Sequence, residues 1–271
     1  MNSIPKATLI GGKGFIGKHL HANLLSLGWD CDVPERDDPD LFLSDLGHVF
    51  YCAGLTADFR QRPYATVEAH VALLAKVLQH CSFTSLTYLS STRVYAGANK
   101  TDENAELKVR SQEPGDLYNL SKLMGESLCL NSGRPVRVVR LSNVYGTGMP
   151  EQNFLSEILS AAASEKAVVF RSAPESQKDY ICIEDVVHFL PLIASHGQIG
   201  IYNLARGKNV THLEIATILH SLGVPCSFEA NAQNIQFLEI DTKKMQQDFG
   251  LMQHDLASDL PALLKNYCEK T

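Results

Sequence analysis

The chain has 271 residues, of which 45% are apolar and 20% charged, so it can build a sizeable core and is not disordered throughout. Lys and Arg number 24 against 30 Asp and Glu, a formal net charge of −6. That argues against a general nucleic-acid binder, which needs a basic surface to displace counterions. No apolar run approaches the roughly 18 residues of a membrane helix, and residues 1–6 carry no apolar leader segment. Seven scattered cysteines without a CxxC pair fit reduced thiols and give no zinc framework. The ten histidines include no HExxH. The expectation is a cytoplasmic protein with no metal, no nucleic-acid partner and no membrane partner.

In chain order, Ala7-Thr8-Leu9-Ile10 reads as a short strand that ends at a glycine cluster. Ile16, Leu20, Leu24 and Leu27 then recur at helical spacing, and Gly28 closes that helix. Residues 30–33 read as a weak strand, 34–40 as a polar connection, and 48–52 as a buried strand ending at Ala53-Gly54. A helical pattern covers 66–80; 86–90 and 136–141 read as strands. A helix opens at Asp116, taken as its N-cap, with Leu117, Leu120, Met124 and Leu128 as its buried stripe. Strand–helix alternation predicts an α/β fold, a doubly wound parallel sheet of Rossmann type.

After Asn143 the rhythm changes. Residues 153–164 look helical, 167–170 and 180–183 extended, and 184–194 helical. Residues 201–204 are expected to rejoin the main sheet, and the tail over 211–222 and 245–267 is mainly helical. The expected organisation is a dinucleotide-binding domain over 1–150, to which the chain returns at about 180–205, and a smaller, mainly helical substrate lobe over 151–271.

The segment Gly11-Gly12-Lys13-Gly14-Phe15-Ile16-Gly17 stands between a strand and a helix. In that context its glycines point to a dinucleotide. A tight turn needs positive φ, a pyrophosphate must approach the backbone with no Cβ in the way, and the helix N-terminus offers N–H groups to the phosphates. Glu35, after the second strand, is the candidate partner of an adenosine ribose and favours NAD. Arg36 and Lys13 are cations that favour the 2′-phosphate of NADP. Two cations against one acid tilt the reading slightly toward NADP.

Tyr118 and Lys122 are four residues apart on one helix face. A free phenol titrates near 10, too high for a base at neutral pH. An ammonium about 4 Å away, at an effective dielectric near 20, is worth roughly 4 kcal/mol and lowers the phenol by up to about three pKa units. Such a tyrosine exchanges a proton with a carbinol or carbonyl. Upstream, Leu89-Ser90-Ser91-Thr92-Arg93-Val94-Tyr95 runs from a strand end into a loop, where a hydroxyl can hydrogen-bond the substrate oxygen.

Together these features resemble the extended short-chain dehydrogenase/reductase family, the NAD-dependent epimerase/dehydratase group that mostly works on nucleotide sugars. Further motifs carry the resemblance along nearly the whole chain: Cys52-Ala53-Gly54, Arg140-Leu141-Ser142-Asn143-Val144-Tyr145-Gly146, and Lys178-Asp179-Tyr180-Ile181-Cys182-Ile183-Glu184-Asp185-Val186. Ile201-Tyr202-Asn203-Leu204 and Asp241-Thr242-Lys243-Lys244 match weaker signatures. The resemblance implies Tyr118 as acid/base, Lys122 as its tuner and a ligand of the nicotinamide ribose, and Ser91 as the catalytic hydroxyl. Gly11, Lys13, Gly14, Phe15, Ile16, Gly17, Glu35 and Arg36 are the candidate contacts to the cofactor, NAD or NADP, and the resemblance implies that Ala53 and Gly54 line it as well. Thr92, Arg93, Asn143 and Lys178 would meet the substrate. Self-association, as a homodimer, would use the helices over 66–80 and 118–130.

The departures from the family pattern matter. Sugar 4,6-dehydratases place an Asp-Glu pair just after the catalytic hydroxyl; here Thr92 and Arg93 stand there. Elimination needs an acid and a base at adjacent carbons, so dehydration is the least favoured chemistry. The common helix asparagine is His70. The arginine usual before Asp-Tyr is Lys178, which cannot fork onto a phosphate. A second arginine that grips the diphosphate is replaced by the stretch 233–236. The leading reading is a nucleotide-sugar 4-keto reductase or 4-epimerase. A carbonyl reductase acting on a non-sugar metabolite and a non-catalytic dinucleotide sensor are the alternatives.

Overall fold

Four consecutive buried residues, Ala7 to Ile10, make β1 (Lys6–Ile10) a strand covered on both faces. The computed structural model describes residues 4–36, 38–56 and 58–269. The first three residues of the leader reading therefore lie outside the described residues. α1 (Phe15–Ser26) buries Gly17, Leu20 and Leu24. It stops where Gly28 takes φ +79°, a backbone state glycine adopts without penalty. β2 (Asp30–Asp32) and β3 (His48–Tyr51) follow. Next come α2 (Pro63–Val67), a π-helical turn over Glu68–Ala72 and α3 (Leu73–His80), so the predicted helix begins three residues early and is underwound in its middle.

β4 (Ser85–Ser91) leads through a 3₁₀ turn, Thr92–Tyr95, to α4 (Asp116–Asn131). Then come β5 (Val136–Leu141), β6 (Asn143–Tyr145), α5 (Phe154–Ser164), β7 (Val168–Ser172), β8 (Gln177–Cys182), α6 (Ile183–His196) and β9 (Gly200–Leu204). β10 (Asn209–Thr211), α7 (His212–Ser221), β11 (Cys226–Gln233), α8 (Lys243–Phe249) and α9 (Leu256–Cys268) complete the chain. Among the described residues no helix is long and apolar enough to cross a membrane.

The main sheet has the order β2-β1-β3-β4-β5-β9 and every pairing is parallel. The doubly wound expectation holds, and residues 201–204 do rejoin this sheet through β9. The chain leaves β1 to one side for β2 and crosses to the other for β3. The order therefore reverses between β1 and β3, and a crevice opens beyond their carboxyl ends. One face packs Leu9, Phe50, Leu89 and Val139 against α1 and α6. The other packs Ile10, Val49, Tyr51, Leu86 and Val138 against α3 and α4. Alternate residues of each strand thus feed opposite layers.

A separate core joins α5, α7 and α9 to β7, through Leu159, Phe170, Ile215, Leu219, Leu260 and Leu264. Each fully buried leucine there contributes about 2 kcal/mol. Two small sheets border it, β10-β8-β6 and β11-β7. The sequence reading did not anticipate β6, β10 and β11. Two of them are three residues long, and β11 is a polar strand with exposed or half-buried residues throughout.

Helix α4 corrects two expectations. Gly115, not Asp116, occupies the N-cap. The Asp116 carboxylate instead accepts from the Arg110 N–H at 2.8 Å and the Asn119 amide at 3.1 Å. The buried face is not the leucine stripe: Tyr118, Ser121, Lys122, Gly125, Glu126 and Cys129 are buried, while Met124 is 56% exposed and Leu117, Leu120 and Leu128 are half-buried. Polar groups that find partners inside displace the apolar stripe outward.

Candidate active site

The three family-type glycines of the loop answer different steric demands. Gly11 has φ +82°, and a Cβ there would lie 2.6 Å from the Ala53 nitrogen. At Gly17 it would lie 2.5 Å from the Gly12 Cα, so this residue lets α1 close onto the loop. At Gly14 it would meet only the Gly11 carbonyl oxygen, at 3.4 Å. Gly14 is the N-cap of α1, whose first turn holds no acidic residue. Backbone amides and an open approach therefore face the crevice, which suits a pyrophosphate.

Gly14, Phe15, Ile16 and Gly17 form one end of a cavity of about 840 Å³. Ser91, Thr92, Arg93, Tyr118 and Lys122 lie along the same cavity, as do Gly54, Asn143 and Lys178. The structure thus brings together residues spread over more than half of the sequence. Gly11, Lys13 and Ala53, also expected at the cofactor, are not among the lining residues. Glu35 and Arg36 border a separate hollow of about 410 Å³ with Asp38 and Pro39. Lys13 Nζ is paired with the Glu35 carboxylate, and both side chains are exposed. The acid and one of the two cations weighed for cofactor choice therefore engage each other, which leaves Arg36 as the cation beside that hollow.

Tyr118 is 5% exposed, and the Ser91 side chain stands close enough to its phenol to favour the charged form. Ser91 ends β4, and its Oγ accepts from the Arg93 N–H at 3.2 Å, capping the 3₁₀ turn. Burial raises the phenol pKa; the Ser91 side chain and the Arg93 charge oppose the rise. The expected lowering by Lys122 is not realised. Lys122 Nζ donates to the Leu89 carbonyl at 2.8 Å and lies 6.0 Å from the centre of the phenol ring. The electrostatic support comes from Arg93, whose guanidinium is 5.8 Å from the same centre. Lys122 is itself buried, and burial pushes its pKa down to about 8 against the pull of Glu126.

His70 is fully buried and satisfied at both ring nitrogens. Nε2 accepts from the Leu55 N–H at 3.2 Å, and Nδ1 is 2.8 Å from Ser121 Oγ, whose hydroxyl donates to the Tyr118 carbonyl. These bonds assign the proton to Nδ1. Burial, then the Lys122 charge, lowers its pKa to about 2, so the ring stays neutral. Its edge meets the Tyr118 ring at 5.4 Å. His70 therefore holds the Gly54-Leu55 backbone beside α4.

Sequence reasoning missed several groups around this wall. Arg140 forks onto Glu126 with 3.0 and 2.6 Å bonds, and both side chains are buried. Ser90 Oγ donates to Glu126 at 2.5 Å and Arg140 Nη1 to the Tyr95 hydroxyl at 2.7 Å. Phe59 packs 5.3 Å from the Tyr118 ring, and Arg60 stands 4.7 Å over Phe59. The loop before α2 has no periodic pattern that would announce them.

Along the same cavity Asn143 Nδ2 donates to the Asp179 carbonyl at 2.8 Å. Lys178 lies 4.9 Å over the Phe154 ring, and its pKa is lowered by burial and by Arg93. Asp179 is the one carboxylate among the described residues lining the cavity. Its oxygens accept from the backbone N–H groups of Arg206, Gly207 and Lys208 at 3.0, 2.7 and 3.1 Å.

Residues 7–205 match the NAD dependent epimerase/dehydratase family. The chain is 21% identical to the dTDP-D-glucose 4,6-dehydratase of Dictyostelium discoideum over 272 residues, covering 82% of this chain and 63% of that protein. It therefore spans less than two thirds of that relative's length. It is 28% identical over 244 residues to the GDP-6-deoxy-D-mannose reductase of Pseudomonas aeruginosa, covering 77% of each. Among solved structures, MoeE5 in complex with UDP-glucose and NAD has a TM-score of 0.82 at 21% identity, over 98% of this chain and 99% of that one. RMD from Pseudomonas aeruginosa complexed with NADPH has a TM-score of 0.79 at 22% identity, over 97% and 99%. These structural likenesses carry the fold.

Proposed function

This chain belongs to the NAD dependent epimerase/dehydratase family, and from that premise we propose that it exchanges hydride between a nicotinamide dinucleotide and a sugar carbon of a nucleotide sugar, by 4-keto reduction or 4-epimerisation. One observation carries the reading. Ser91, Tyr118 and Lys122 line the same cavity as the glycine loop at the start of α1.

The loop fits a dinucleotide because Gly14 leaves the backbone open where Gly11 and Gly17 are closed by neighbouring backbone. In this reading residues 1–150 hold the dinucleotide and 151–271 contribute the substrate lobe. When bound, the nicotinamide supplies or takes up the hydride. Tyr118 moves the proton at the substrate oxygen and Ser91 holds that oxygen by hydrogen bonding. Arg93 and Ser91 offset the cost of charge on the buried phenol. Lys122 positions the nicotinamide ribose. Arg36, with Glu35 engaged by Lys13, favours NADP over NAD. Asn143 and Lys178 meet the substrate.

Dehydration is disfavoured on chemical grounds. Asp179, the one carboxylate of the lining among the described residues, is spent on three backbone amides, and Thr92 and Arg93 supply no acid–base pair. A non-sugar carbonyl substrate is the second reading, favoured by Gln236 in the lining where the family's diphosphate arginine is expected. The exposed apolar face of α4, with the adjacent Tyr64 and Val67 of α2, is proposed as a homodimer surface.

Thermal-shift titration of the protein with UDP, GDP and dTDP in the presence of NADPH or NADH tests the main reading. Stabilisation by one nucleotide diphosphate supports it. Stabilisation by cofactor alone, with none from any nucleotide, supports the second reading instead.

A further inference from the structure

We propose that the substrate carries a carboxylate next to its reacting carbon, and that Arg93 and Arg60 grip this group beside Tyr118. The inference deepens the reading above and rests on it for the nucleotide portion of the ligand.

Position is the first argument. Arg93 lines the cavity two residues after Ser91. Its guanidinium is 5.8 Å from the Tyr118 ring centre. Arg60 arrives from the loop before α2. The Nη2 atoms of Arg93 and Arg60 lie 3.3 and 3.5 Å from the point where a Cβ on Gly115 would stand. Glycine at the N-cap of α4 thus leaves room for both guanidinium groups to converge at one spot. Tyr118 and Arg93 both line the cavity, so a substituent beside the oxygen that meets Tyr118 lies within reach of the Arg93 guanidinium, next to which Arg60 stands.

Rigidity is the second. Both guanidinium groups lie over the Phe59 ring, Arg60 at 4.7 Å and Arg93 at 5.4 Å. Phe59 is 2% exposed and packs against Tyr118. Cation–π contact holds two long side chains in place and lowers the entropy lost when they bind.

Charge is the third. Among the described residues, neither guanidinium has an ion-pair partner or donates a hydrogen bond. Asp58 pairs with Arg62. The charge of Asp116 reaches Arg93, but its oxygens serve Arg110 N–H and Asn119. Arg93 holds its proton less tightly than usual, first through burial and then through Arg60. Two like charges thus converge, Arg93 half-buried and Arg60 exposed, and no carboxylate of the described residues is paired with either. A bound anion relieves this repulsion. The planar forks of two arginines match a carboxylate's two oxygens, which a single hydroxymethyl group cannot satisfy. Lys178, over the Phe154 ring, also feels the charge of Arg93 and adds to the positive field of this part of the cavity.

The test is calorimetric titration of NADP-loaded protein with two matched pairs, UDP-glucuronic acid against UDP-glucose and glucuronic acid 1-phosphate against glucose 1-phosphate. Within each pair only the carboxylate changes. The proposal expects each acid to bind about 10- to 100-fold more tightly than its neutral partner. Arg93→Gln and Arg60→Gln should each reduce that ratio about tenfold or more, while cofactor affinity, the control for folding, is unchanged. Arg60 is exposed, so its variant keeps the test open if Arg93→Gln does not fold. Equal affinity within both pairs overturns the proposal, as does an acid preference that survives both substitutions. Failure of either acid to bind overturns it too. Acid preference in the sugar phosphates, with no gain from the nucleotide, retains this proposal and removes the nucleotide-sugar reading.

Discussion

The ammonium of Lys122 lies 6.0 Å from the centre of the Tyr118 ring. Four residues of helical spacing place both groups on the buried face of α4, but the amine is bonded to the Leu89 carbonyl at 2.8 Å. Burial sets its pKa near 8, below the ordinary 10.5. Between those two values the unfolded chain holds more protons than the fold, so stability rises with pH across that window. Below about 8 the charged amine costs the fold roughly 3 kcal/mol. Lys122→Met is therefore expected to raise the urea midpoint at neutral pH and to flatten the rise between about 8 and 10.5. A less stable variant at neutral pH would mean that the bond to Leu89 outweighs desolvation.

The proposed preference for NADP rests on Arg36. Lys13 and Glu35 engage each other at the surface, where such pairs are worth less than about 1 kcal/mol. Arg36→Ala should weaken NADPH about tenfold and leave NADH nearly unchanged, as measured by quenching of intrinsic fluorescence. Equal loss for both dinucleotides would contradict a role at the 2′-phosphate.

The Glu126–Arg140 pair is buried on both sides. Glu126→Gln leaves the guanidinium without its counter-charge, and such losses cost about 3–5 kcal/mol. Glu126 also raises the Lys122 pKa. The same variant should therefore move the Lys122 titration further down, readable by NMR of the labelled amine. An unchanged titration would show that the two groups do not communicate.

Much of this site was legible because steric and chemical demands are local. Gly11, Gly14 and Gly17 are spaced as a turn, an open approach and a helix contact require, and Tyr118 with Lys122 follows helical repeat. Other parts depend on distant chain segments. Phe59 and Arg60 sit on an aperiodic loop, and the Lys13–Glu35 and Glu126–Arg140 pairs form only after the sheet brings their elements together. The α4 stripe misled because apolar periodicity assumes that leucines face inward. Here Tyr118, Ser121, Lys122 and Glu126 have polar partners inside, and those partners decide the helix's orientation.

That reversal has a consequence for assembly. Met124 and Leu130 on α4 and Tyr64 on α2 are exposed at 56%, 44% and 89%. Sedimentation velocity should find a dimer, and Met124→Glu should shift it toward monomer with the catalytic face untouched. A concentrated wild-type protein that sediments as a monomer would remove this surface from consideration.

The account turns on proton transfer by Tyr118. Tyr118→Phe deletes one oxygen and keeps the ring against Phe59 and His70. With the substrate found by the nucleotide and acid titrations, nicotinamide absorbance gives turnover of a keto reduction and chromatography of the sugar product gives that of an epimerisation, while fluorescence titration gives NADP(H) affinity. The account predicts turnover reduced by about 10²- to 10⁴-fold with cofactor affinity within about twofold of the parent. Turnover that persists at the parent rate would contradict it.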